Sequence, residues 1–90
     1  MSFDPELAVA MQELKCVRQQ APVDSMFIHG RSGKLVVVEK LTLNEEDLHP
    51  MVTYRHVDDD TTFLSWSRRS EVFLDGRFTA YPYEEMLEDA

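Results

Sequence analysis

From Ser25 onward the chain breaks into short β-prone runs punctuated by turn residues roughly every 8 to 12 positions, a rhythm that confines it to hairpins of antiparallel strands. Met26-Phe27-Ile28-His29 reads as a strand. Gly30-Arg31-Ser32-Gly33 reads as a turn into the Val- and Leu-rich run 34–43, so the two runs should form a hairpin. After an acidic loop over 44–50, Val52, Tyr54 and His56 alternate with Met51, Thr53 and Arg55, as in a half-buried strand. An Asp58-Asp59-Asp60 tip then leads into 61–67, where Thr61, Phe63 and Ser65 alternate with Thr62, Leu64 and Trp66. Residues 70–75 read as a single helical or 3₁₀ turn stopped by Gly76, and 77–81 as a last short strand.

One helix precedes these strands. Leu7, Ala10, Met11, Leu14 and Val17 recur at helical spacing across 4–20, Asp4-Pro5 supplies a cap and first-turn proline, and Ala21-Pro22 ends the helix. The stripe is expected to pack on the chain's own sheet, with a partner or a second copy as the alternative. The expected class is therefore α+β, mainly β: an N-terminal helix, then a small, partly open antiparallel β-barrel of about five strands over 25–81. With 90 residues, all of 1–90 is expected to be one domain with one modest core. The acidic end over 84–90 is expected to fray.

Charge and cysteine usage narrow the role. Nine Lys and Arg against 17 Asp and Glu give −8, which disfavours binding to phosphate backbones, so nucleic acid is a poor default partner. Ten of the 17 acids fall in three clusters, at 45–47, 58–60 and 84–89. The single cysteine, Cys16, cannot form an internal disulfide, and the MSFDPEL start lacks a basic and apolar leader, so a cytoplasmic location is expected. No apolar run approaches the roughly 20 residues that span a bilayer, so no membrane role is expected.

The candidate chemistry is sparse. His49 and His56 with Asp58-Asp59-Asp60 have metal-ligand residue types but match neither an EF-hand nor a zinc spacing, so no metal and no cofactor are expected. Cys16 lacks a neighbouring base and reads as a small buried hydrophobe; no nucleophile elbow or phosphate loop is present, and no enzyme is expected. The group that stands out is Arg68-Arg69 with Trp66, joined by Arg55 and Arg77. A tryptophan near clustered guanidinium groups can grip an acidic or aromatic ligand by stacking and bidentate hydrogen bonds. Against this, Trp66 could be a core aromatic and the arginines could simply offset Glu71 and Asp75. Tyr81 and Tyr83, beside Pro82, offer a second candidate partner surface.

Val52-Thr53-Tyr54-Arg55, a polar turn, Trp66-Ser67-Arg68 and then Phe73 resemble the small bacterial and phage domain of unknown function family numbered 1653, in which a V-V-Y-R strand runs into a W-x-R-P segment and a following phenylalanine. The resemblance covers roughly residues 27–78 and implies a compact SH3-like β-barrel, without implying an activity. The expected role is a non-catalytic module binding a protein or peptide, as monomer or homodimer. The alternatives are an acidic decoy from a phage or mobile element, occupying a basic nucleic-acid-binding groove, and, behind it, a metal-dependent or regulatory enzyme component.

Overall fold

Asp4 starts the helix as the sequence expects: its carboxylate accepts the N–H groups of Glu6 at 3.0 Å and Leu7 at 3.3 Å, and Pro5 fills the first turn. In the computed structural model, which describes residues 4–57 and 60–81, this helix, α1, runs Pro5–Gln20. It closes where Ala21 donates to the Val17 carbonyl at 2.8 Å. Five strands follow: β1 Met26–His29, β2 Leu35–Leu43, β3 Pro50–His56, β4 Trp66–Arg69 and β5 Phe78–Ala80, with a single helical turn, α2 Ser70–Phe73, between the last two.

All neighbouring strands are antiparallel, in the order β4-β3-β2-β1-β5. The sheet is not closed, and β4 and β5 are its edges. The β2–β3 register slips between Val38 and Lys40, making Glu39 an extra residue opposite β3; such a bulge bends a strand and increases its twist.

Strand periodicity sorts the side chains into two faces. Phe27, Val36, Val38, Val52, Tyr54 and Phe78 share one face, where Val17 and Ala21 at the C-terminal end of α1 and Phe73 of α2 join them in one core. Phe73 is fully buried and meets three rings, Phe27 at 5.0 Å edge-on, Tyr54 at 5.5 Å and Phe78 at 4.4 Å stacked. Gly76, at φ +107°, lets the chain turn back from α2 into β5 in a backbone region that other residues rarely adopt.

Three expectations are corrected. Residues 61–64 are a turn rather than a strand, with Leu64 N–H on the Thr61 carbonyl at 2.9 Å. The reason lies in the register: Tyr54 pairs with Trp66 and β3 ends at His56, so the β-prone Thr61-Thr62-Phe63 has no strand to pair with. The helix stripe is buried only in part: Ala10 and Val17 pack inward, whereas Leu7 and Met11, like Val9, are exposed. Cys16, expected inside, is exposed on α1. Among the described residues, no helix is long and apolar enough to cross a membrane.

The core assignment separates two substitutions. Phe73→Ala should destabilise the fold by about 3 kcal/mol or more, because it empties the space where three rings meet. Met11→Ala, half exposed, should cost less than about 0.5 kcal/mol. Urea unfolding followed by circular dichroism measures both.

Candidate functional site

The alternation along β4 decides what its arginines can do. Trp66 and Arg68 pair with Tyr54 and Val52 and lie on the core face, while Ser67 and Arg69 point to the opposite face. The adjacent arginines are therefore separated by the sheet itself and do not act as one group.

Arg68 sits where the core face reaches solvent. Its Nε donates to the Tyr54 hydroxyl at 3.0 Å, and its guanidinium carbon lies 5.5 Å from the centroid of the Phe78 ring. Both supports are themselves core residues, so the guanidinium stands on a rigid base. Among the described residues Arg68 has no carboxylate partner. Trp66 beside it is 44% exposed, and the His56 ring stacks against it at 6.3 Å and 27°. His29 contacts the Phe78 ring at 4.9 Å, and its Nδ1 is hydrogen-bonded to the Ser32 hydroxyl at 2.9 Å. Together Tyr54, His56, Trp66, Arg68, Phe78 and His29 wall a recess of about 340 Å³, which Lys34 also borders.

A second recess, of about 540 Å³, shares Arg68 and His29 with the first and is bounded by Gly30, Arg31, Gly76 and Arg77. The two turns that form it are tied together by the Gly30 N–H, which donates to the Arg77 carbonyl at 2.8 Å. Among the described residues, no carboxylate lines either recess.

The other candidates fall elsewhere. Arg55 faces Glu39 at 3.9 Å on the outer face, where Ser65 also donates to Glu39 at 2.9 Å. Arg77 pairs through Nε with Asp75 at 3.1 Å at the edge of the second recess. Arg69 donates to Asp47 at 3.0 Å and to Glu71 at 3.4 Å. The reading in which arginines offset nearby acids thus describes Arg69 and Arg77 but not Arg68. Tyr81 follows β5 with its N–H on the Met26 carbonyl at 2.9 Å, half-buried; Tyr83 lies outside the described residues.

Arg69 belongs to a four-residue strap that sequence spacing concealed. Asp47 accepts from the His49 N–H at 3.0 Å as well as from Arg69, and Glu71 accepts from Arg69 and bonds His49 Nε2. The hydrogen bond from Arg69 holds the Asp47 carboxyl below its ordinary value, and Asp47 in turn raises Arg69. Partial desolvation pushes Glu71 up, but the hydrogen bonds from His49 and Arg69 outweigh it and leave Glu71 low. The strap joins the 44–49 loop to β4 and α2. His29, Arg31 and Lys34, which also border the recesses, carried no sequence signal as ligand-binding residues, and His56 was weighed only as a metal ligand. Arg31 lay inside the turn Gly30-Arg31-Ser32-Gly33, too short to read as a phosphate loop.

Among the described residues, no group of three or more His, Cys, Asp and Glu side chains could hold a metal ion. No protein-family model, curated protein or solved structure matches the chain. Val52 and Tyr54 pair with Arg68 and Trp66, and Phe73 packs on Tyr54.

The strap gives the fold an acid limb. Asp47 and Glu71 have folded values below their ordinary 3.8 and 4.5, so their stabilisation is present above those values and lost as pH falls through the lower folded ones. The midpoint of thermal unfolding should therefore fall with pH between about pH 5 and pH 2 more steeply in the wild type than in Asp47→Asn and Glu71→Gln. Equal slopes in all three proteins would show that the strap contributes nothing.

Proposed function

We propose that this chain is a non-catalytic interaction module that binds a protein or peptide partner by gripping an acidic side chain on Arg68 beside an aromatic or apolar one on Trp66. The observation that carries this reading is Arg68 itself. Its guanidinium is held by Tyr54 and Phe78 in a chain of net charge −8, yet no carboxylate among the described residues answers it. Arginine presents a planar fork suited to a carboxylate, and fixing that fork in advance lowers the ordering cost of binding. Trp66 adds the exposed aromatic that protein contacts favour.

The architecture supports reading the sheet as an SH3-like barrel left open between its edge strands, in keeping with the resemblance to the family numbered 1653. The strand order β4-β3-β2-β1-β5, with one helical turn between the last two strands, is the support for that assignment.

Selection of displayed random peptides on the immobilised protein tests the reading. The selected peptides should share an Asp or Glu next to an aromatic residue. They should bind Arg69→Ala like the wild type and Arg68→Ala at least about tenfold more weakly, as expected for loss of a hydrogen bond between charged groups. Peptides that bind Arg68→Ala undiminished would overturn the proposal.

A further inference from the structure

The first recess accounts for one anionic group; the second has three arginines around it. Arg31 comes from the β1–β2 turn, Arg68 from β4 and Arg77 from the turn before β5, and His29 adds an imidazole. The turns carrying Arg31 and Arg77 are fixed relative to one another, because β1 and β5 pair with His29 opposite Phe78 and Gly30 is bonded to Arg77. Arg77 pairs with Asp75, its Nε 3.1 Å from the carboxylate, and Arg31, like Arg68, has no ion pair among the described residues. Asp75 offsets one of the three positive charges; the other two have no counter-charge among the described residues and repel each other. A chain with 17 acidic residues places none of the described ones in this recess.

A carboxylate, with one negative charge and two oxygens, would be answered by Arg68 alone. A phosphoryl group carries about −1.5 to −2 charge at pH 7 and three strong acceptor oxygens, which suits several guanidinium forks converging from separate segments. We propose that the recess bounded by Arg31, Arg68 and Arg77 is a phosphoryl subsite, so that the partner peptide carries a phosphorylated side chain whose ring or neighbour rests on Trp66. This inference rests on the peptide-binding reading above and names its ligand more closely. A peptide is favoured over nucleic acid because the charge of −8 repels a continuous polyanion, whereas a single phosphoryl group is a local matter.

Trp66 is the only tryptophan of the chain and stands in the adjoining recess, so its fluorescence reports occupancy directly. The probes are a short peptide with a central phosphotyrosine, its unphosphorylated twin, its twin with glutamate at that position, inorganic phosphate alone and a short oligothymidylate. The phosphopeptide should bind at least about tenfold more tightly than either twin, and inorganic phosphate should compete with it. Arg31→Ala and Arg77→Ala should each weaken the phosphopeptide about fivefold or more while leaving the glutamate twin unchanged; both residues are exposed, and circular dichroism confirms that the variants fold. Equal affinity for the phosphopeptide and the glutamate twin would overturn the phosphoryl subsite and leave the acidic-peptide reading standing. Failure of all three peptides to bind would overturn both readings, as would oligothymidylate binding more tightly than the phosphopeptide.

Discussion

Phe73 sits where β1, β3 and β5 would otherwise come apart. The ring is contributed by a helical turn of four residues, too short to be stable on its own, and it is buried against Phe27 of β1, Tyr54 of β3 and Phe78 of β5. An open five-stranded sheet has two edges to hold in place, and this aromatic cluster brings a ring from β5 to lie against one from β3, two strands it does not pair with. The same contacts fix the Tyr54 hydroxyl and the Phe78 face, and these two groups position Arg68. Packing and binding chemistry are thus one construction: the core determines where the guanidinium stands.

The outer side of β4 serves the same end by different means. Arg69, one residue from Arg68 and across the sheet from it, is consumed by Asp47 and Glu71. Exposed ion pairs contribute little individually, and a network that joins a loop, an edge strand and a helical turn does more by restricting their relative motion. The strap and the aromatic cluster hold β4 from opposite faces.

Much of the architecture could be read from the sequence because the relevant signals are local. Asp4-Pro5 and Ala21-Pro22 delimit α1, Gly33 and Gly76 mark turns whose φ is positive, and the Met51–His56 alternation is that of β3. What failed was non-local. Thr61-Thr62-Phe63 has strand propensity but no partner, and Leu7 and Met11 fit the helix period but are exposed while Ala10 and Val17 are buried. The site was legible in half. Trp66 and Arg68 stood out by type, but that Arg69 faces away follows from pairing with β3, and that Arg31 and Arg77 border one recess follows from the pairing of β1 with β5.

The central claim is that Arg68 is a guanidinium preorganised by the fold and held ready for an external anion. Side-chain nitrogen NMR of arginine-labelled protein tests it most directly, by following the Nε–H resonances while an acidic peptide is added. The account predicts that the Arg68 Nε–H, bonded to Tyr54, exchanges slowly with water in the free protein, loses that protection in Tyr54→Phe, and shifts on addition of peptide while the Arg69 resonance stays in place. An Arg68 resonance that exchanges as fast as those of unpaired surface arginines, or that ignores the peptide while Arg69 responds, would contradict it.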